Sequence, residues 1–232
     1  MKVEWENPVF RDVSFEQGSG ETVAVKKVAL PFEQAVAYIA GKDQRPLLIL
    51  RECYTCSGTD DALLSRKGGN EKTFVYTKWF NCVRVPATVT EANHPFHNLF
   101  AGEKPPHLFV CSADGKNVRP LKGDQSMLEL WDVLTEALKR DYIRDPAKVY
   151  KDLVKLYMEF DMLDDEEEML LGQAYRELLN KGGDSKKLPK LRKKLDTVRE
   201  KREAGLKKEK VMLDLQLRAA QKKQAGSSEA GI

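Results

Sequence analysis

Residues 47 to 56 read Leu47-Leu48-Ile49-Leu50-Arg51-Glu52-Cys53-Tyr54-Thr55-Cys56, and this stretch decides the fold. The apolar run over residues 46–50 is typical of a strand that is buried on both faces of a sheet. We expect a helix to begin at the two cysteines, which puts both sulfurs within disulfide reach. The thiol of Cys53 then faces the unpaired N–H groups of the first helical turn, and these favour its reactive thiolate form. The stretch therefore predicts thiol-disulfide chemistry.

The segments around this stretch predict an α/β fold. Further strands are predicted over residues 80–85, over residues 107–111 and around Val118. Helices are predicted over residues 31–40, over residues 60–65 as the continuation of the helix that begins at the cysteines, and from Ser126 onwards. The last helix has one apolar stripe that would pack on the sheet, formed by Met127, Leu130, Trp131, Leu134 and Leu138.

Residues 31–143 resemble the thioredoxin-like family. The shared order is a helix, a strand, the Cys-x-x-Cys, a second strand, a proline directly before the third strand, a hairpin and a closing helix. The resemblance implies a thioredoxin-like three-layer α/β/α sandwich with a central mixed sheet. In that family the peptide bond before the proline is cis and the proline lies against the cysteine pair; the matching residue here is Pro106. An X-Pro bond is the only peptide bond that becomes cis at small cost.

The resemblance also implies the roles of the site residues. Cys53 would be the nucleophile that attacks a substrate disulfide, and Cys56 the resolving thiol that attacks the sulfur of Cys53. Pro106 and His107 complete the predicted catalytic site, where the imidazole can shuttle protons or stabilise the thiolate near neutral pH. Neither a cofactor nor a metal is expected. The expected function is a thiol-disulfide oxidoreductase or redox sensor, with a protein disulfide substrate or redox partner.

Four positions depart from the family pattern. Glu52 stands where a tryptophan is common, residues 54–55 are Tyr-Thr instead of Gly-Pro, and Leu47 corresponds to the buried acid of thioredoxins. The carboxylate of Glu52 would oppose a thiolate at Cys53, whereas Arg51 would favour one. A second hypothesis therefore stays open: a non-catalytic thioredoxin-fold scaffold that assembles through its helical arm.

Other histidines and cysteines have less specific patterns. His94 and His97 would complete a Cys₂His₂ zinc set, but the gap from Cys56 to His94 is far longer than in a zinc finger. Cys82 and Cys111 stand alone in predicted strands, where free cysteine usually behaves as a small hydrophobe. We expect both of them in the core.

Charge is distributed unevenly along the chain of 232 residues. Residues 184–232 contain 15 Lys or Arg against 7 Asp or Glu, although the whole chain has a net charge of only +3. Residues 1–6 have neither the basic nor the apolar region of a secretory signal, and no apolar run approaches the length of a membrane span. A cytoplasmic location is therefore expected, where disulfides are mostly catalytic or sensing.

The patterns predict five segments. They are an N-terminal β extension (1–30, with a hairpin of strands 8–15 and 22–28), the thioredoxin-like domain (31–143), a helical hairpin (144–183), a basic helical arm (184–224) and a disordered tail (225–232). The acidic residues 164–168 are interpreted as the first turn of the second hairpin helix. Residues 144–224 are expected to bind a protein partner or to self-associate. Nucleic-acid binding is not expected, because no groove-reading motif accompanies the basic charge.

Overall fold

The computed structural model describes residues 3–9, 29–53, 69–121 and 126–219. The chain divides into two compact units, one formed by residues 1–146 and 216–232 and the other by residues 147–215. Several predictions fall outside the described residues, namely the N-terminal hairpin, the helix over residues 60–65, Cys56 and the tail over residues 225–232.

The first unit is built on a mixed sheet of four strands. They are β1 (Leu47–Arg51), β2 (Asn81–Val85), β3 (Leu108–Cys111) and β4 (Arg119–Leu121), in the order β2-β1-β3-β4. Strand β1 pairs parallel with β2 and antiparallel with β3, and β3 pairs antiparallel with β4. The α/β class and the predicted strands are therefore confirmed. Leu47 to Leu50 are at most 3% exposed, as their continuous apolar run predicts.

The first described residues lie along the edge of this sheet. The N–H of Glu6 donates to the carbonyl of Cys82 at 2.9 Å, and the N–H of Arg84 donates to the carbonyl of Glu6 at 2.8 Å. These two bonds form an isolated parallel bridge between Glu6 and Val83. The described part of the N-terminal extension is therefore an addition to the edge at β2.

Among the described residues, three α-helices accompany the sheet: α1 (Phe32–Ala40), α2 (Glu71–Thr77) and α3 (Met127–Asp141). Helix α3 begins at a capping box, as Ser126 predicts: the N–H of Glu129 donates to the Oγ of Ser126 at 3.2 Å, and the N–H of Ser126 donates to the carboxylate of Glu129 at 2.8 Å. Helix α1 ends at Gly41, whose φ of +56° lies in the left-handed region. Helix α2 was not predicted, because residues 73–77 are mostly β-branched or aromatic; their burial outweighs that weak propensity.

The core contains the two isolated cysteines. Cys82 and Cys111 are free and buried, as predicted, and burial raises the pKa of each thiol to about 12. Their thiolates are therefore scarce at neutral pH. Cys111 lies in a cluster with Ile49, Phe100 and Phe109, between α1 and the sheet.

The second unit is a pair of long helices, α4 (Pro146–Lys181) and α5 (Leu188–Leu213). The prediction of two helices joined within residues 144–183 is wrong, because α4 runs without a break through the acidic residues 164–168. These residues contain neither proline nor glycine, and Glu166 to Glu168 have good helix propensity, so the helix continues through them. Helix α4 ends instead at Gly182, which has a φ of +70°.

The basic arm turns back along α4. Helix α5 is shorter than the predicted arm and ends at Leu213. Leu217 already belongs to the first unit, where it forms an isolated antiparallel bridge with Tyr142. Leu195 and Val198 of α5 pack with Leu170 of α4 in a small buried cluster. The hairpin is therefore formed by α4 and α5.

Ion pairs connect acidic α4 to basic α5. Glu167 pairs with Arg199 at 3.1 Å, and Asp164 pairs with Arg202. Tyr157 donates a hydrogen bond to Glu209 at 2.8 Å; burial and this contact raise the pKa of Tyr157. Part of the positive charge of α5 is thus compensated within the same unit.

Candidate thiol-disulfide site

Cys53 lies two residues beyond the end of β1. The N–H of Glu52 donates to the carbonyl of Val85 at 2.9 Å, so the parallel pairing with β2 continues up to the residue before the cysteine. Cys53 is half-buried and disulfide-bonded, whereas Cys82 and Cys111 are free. The central strand thus presents one oxidised cysteine at its carboxyl end.

Pro106 and His107 lie beside the same end of β1. The pairing of β1 with β3 ends at Leu50 and Leu108, and one residue further the N–H of Arg51 donates to the carbonyl of His107 at 2.7 Å. The Nε of Arg51 also lies 3.5 Å from the carbonyl oxygen of Pro106. The structure therefore brings Pro106 and His107 to the strand end that leads to Cys53.

The peptide bond before Pro106 differs from the family pattern. None of the described residues has a cis peptide bond, so this bond is trans. The trans form is the lower in energy by about 0.5–1 kcal/mol for a bond to proline. The expectation of a cis bond at this position is wrong.

An ion pair holds the carboxylate next to Cys53. Arg84 on β2 lies with its Nη1 3.6 Å from the Oε1 of Glu52, and both side chains are about 40% exposed. The guanidinium of Arg84 also lies 5.5 Å from the ring centroid of Trp5. Glu52 therefore does not act on Cys53 as an isolated negative charge.

A second arginine is part of the same strand end. The guanidinium of Arg51 lies 6.0 Å from the ring centroid of Phe100. Burial lowers the pKa of Arg51, yet a guanidinium stays protonated in proteins. Arg51, Arg84 and Glu52 thus place two positive charges and one negative charge at this strand end.

Leu47, which the family resemblance matches to the buried acid of thioredoxins, has no group that accepts a proton. Leu47 is fully buried, and no Asp or Glu is buried among the residues that the structure describes. Of the predicted catalytic residues, His107 has the side chain suited to a proton acceptor, and it lies at this end of the sheet.

The other histidines have structural contacts. The Nδ1 of His94 accepts a hydrogen bond from the N–H of Phe96 at 3.1 Å, and the ring of His94 packs against that of Phe96. In neutral imidazole this contact favours the tautomer with its proton on Nε2. In the described ranges, no three His, Cys, Asp or Glu side chains are arranged to hold a metal ion.

Sequence reasoning missed Arg84 and Trp5. Both depend on how β2 and the N-terminal segment pair, because the register places Arg84 opposite Leu50, two residues from Glu52. The signal available in the sequence was the single basic residue in an otherwise uncharged predicted strand over residues 80–85.

Comparison with models of protein families, with curated proteins and with solved structures found no match to this chain. Within the described parts of the chain, no helix combines the length and the apolar character needed to cross a membrane.

Proposed function

We propose that this protein is a thiol-disulfide oxidoreductase or redox sensor of the thioredoxin-like type. The observation that carries the proposal is the meeting of Cys53 with Pro106 and His107 at one end of β1, joined by the 2.7 Å bond from Arg51 to His107. A central strand with one parallel and one antiparallel neighbour is compatible with the mixed sheet that the family resemblance implies.

In the proposed reaction the protein starts with Cys53 and Cys56 reduced. The thiolate of Cys53 attacks one sulfur of a protein disulfide, which forms a mixed disulfide and releases the other sulfur as a thiolate. The thiolate of Cys56 then attacks the sulfur of Cys53 and releases the second substrate thiolate. Two electrons pass to the substrate, and the protein ends with a disulfide between Cys53 and Cys56. A sensor would be oxidised by the same steps and reduced again by their reverse.

The neighbouring side chains would tune these steps. Arg51 and Arg84 favour the thiolate of Cys53 electrostatically, and the second of them also compensates Glu52. His107 would accept the proton of Cys56, a role that the buried acid has in thioredoxins and that Leu47 cannot take.

A trapping experiment tests the proposal. In the Cys56→Ser variant the mixed disulfide on Cys53 cannot be resolved, so we expect a covalent adduct with a model protein disulfide that dithiothreitol releases. The matched control is Cys56→Ser combined with Cys53→Ser, which should give no adduct. An equal amount of adduct from both variants, or from neither, would contradict the proposal.

The scaffold hypothesis is favoured by a different observation. Leu47 is fully buried at the position of the thioredoxin acid, so the proton acceptor of that family is missing. The same trapping experiment separates the two functions, because a scaffold with inert cysteines would form no adduct while its helical unit still assembles.

A further inference from the structure

A groove runs between α4 and α5 in the second unit. It has a volume of about 480 Å³. Its walls are apolar near the middle, where they are formed by Leu156, Met162, Leu163, Ala204 and Gly205. Its rim is acidic on the α4 side, with Glu159 and Glu166, and basic on the α5 side, with Lys201 and Lys208.

Met162 lines this groove, and two further exposed methionines lie on the same side of α4. Met158, Met162 and Met169 are 60%, 72% and 53% exposed, and their spacings of four and seven residues put them on one side of the helix. Met side chains adapt to irregular surfaces, and rows of them are used in binding surfaces. This side of α4 thus has apolar surface available for a partner.

Contacts between α4 and α5 show which residues of the two helices lie at the same height along the hairpin. The ring of Phe160 packs so closely on Gly205 that a Cβ atom would collide with it, and Asp164 pairs with Arg202. Met162 lies between these contacts on α4. Residues 203–204 lie between them on α5. A protruding methionine and a helix surface of small residues, Ala204 and Gly205, are therefore side by side.

The charged residues on the rim of the groove also lie at matching heights on the two helices. Glu159 on α4 and Lys208 on α5 lie between two contacts of the helices. One is the packing of Phe160 on Gly205, and the other is the hydrogen bond between Tyr157 and Glu209. Glu166 and Lys201 lie on the other side of the Phe160 packing, next to the pair of Glu167 and Arg199. Glu159 and Glu166 on the rim thus each have a basic rim residue of α5 at nearly the same height.

We propose that this groove binds a second copy of the chain through a two-fold axis parallel to the helices. Such an axis lays α4 of one copy on α5 of the other at equal height. Met162 of each copy then meets Ala204 and Gly205 of the other, and Glu159 and Glu166 meet Lys208 and Lys201. The two hairpins form a four-helix bundle.

The size and the charges both fit this arrangement. Helix α5 has 26 residues. At 1.5 Å per residue and about 20 Å for two helices side by side, the face measures roughly 800 Å² per copy, the area of a standard interface. A two-fold axis across the helices would instead lay α4 on α4 and α5 on α5, with like charges facing each other, which is unfavourable.

Charge reversal of the full-length protein tests the proposal in sedimentation equilibrium. We expect a dimer whose Kd rises at least about tenfold in Glu159→Lys with Glu166→Lys, and likewise in Lys201→Glu with Lys208→Glu, because facing like charges repel. Mixing the two variants should restore the affinity, since every contact between them is again between opposite charges. This recovery also shows that both variants are folded.

The matched control reverses two charges on the opposite side of α5. Arg192 and Lys210 each lie nine residues, or two and a half turns, from Lys201. Arg192→Glu with Lys210→Glu should leave the Kd unchanged within about twofold. The proposal is overturned if the wild type is monomeric at about 100 µM, where even a weak complex is populated. It is also overturned if the groove variants dimerise as well as the control, or if mixing restores nothing.

Discussion

The two units of this chain are stabilised by different physical means. In the first unit, β1 is buried from Leu47 to Leu50, and apolar side chains surround it. In the second unit, α4 and α5 share a small buried apolar cluster of Leu170, Leu195 and Val198, and ion pairs extend along the helices. The first unit can therefore hold a reactive group in a fixed place, whereas the second unit offers a long surface to a partner.

The largest effect expected from this comparison is on stability. Ile49→Ala removes a fully buried side chain from β1 and should lower the free energy of unfolding by about 4 kcal/mol, near the upper part of the usual range for such changes. Leu195→Ala, in the thin cluster between α4 and α5, should cost about 2 kcal/mol, because its neighbours can collapse into the space. Urea unfolding followed by circular dichroism measures both, and equal costs would contradict the contrast between the units.

Alkaline pH should act on the first unit through its buried cysteines. Burial raises the pKa of Cys82 and Cys111 from 9.0 to about 12. Between these values the folded chain retains protons that the unfolded chain loses, so the free energy of unfolding falls as pH rises from 9 to 12. The loss is about 2 kcal/mol per thiol at a pH midway between the two values.

The measurement for this prediction is the slope of stability against pH. Cys111→Ala should unfold with a shallower decrease above pH 9 than the wild type, although it is less stable at pH 7. Leu195→Ala is the control variant for Cys111→Ala, because it lowers the free energy of unfolding without removing a thiol. If stability falls with pH at the same slope in the wild type and in Cys111→Ala, the thiol of Cys111 is not a cause of the loss of stability above pH 9.

The smallest effect concerns the ion pairs of the second unit. Glu167→Gln removes the partner of Arg199, whose side chain is 57% exposed, and should cost about 0.5 kcal/mol at low salt. The cost should shrink when the salt concentration is raised to 1 M, because screening weakens exposed pairs. Thermal unfolding at both salt concentrations provides the measurement, and a cost that does not change with salt would point to packing instead.

The sequence predicted the first unit better than the second, for a physical reason. The run Leu47 to Leu50 is short and continuously apolar, which is typical of a strand inside a sheet, and Ser126 with Glu129 forms a local capping box. Both predictions depend on neighbouring residues only. Helix α4 was misjudged because residues 164–168 suit the start of a helix as well as its exposed interior.

The candidate site shows the same limit. The position of Cys53 after β1 and the proximity of His107 were predictable from the order of the elements. The pairing of Glu52 with Arg84 depends on the register between β1 and β2, which no local pattern specifies. The trans bond before Pro106 likewise differs from what the family resemblance implied.

The reactivity of Cys53 against pH tests the central claim most directly. The reduced protein is alkylated with iodoacetamide between pH 4 and 10, and the rate at each residue is measured by mass spectrometry. The account predicts that the rate at Cys53 is half-maximal clearly below about 8.5, the ordinary pKa of a cysteine thiol, while Cys82 and Cys111 stay unlabelled in the folded chain. A midpoint at or above about 8.5 would mean that the strand end does not activate Cys53, and would contradict the proposed chemistry.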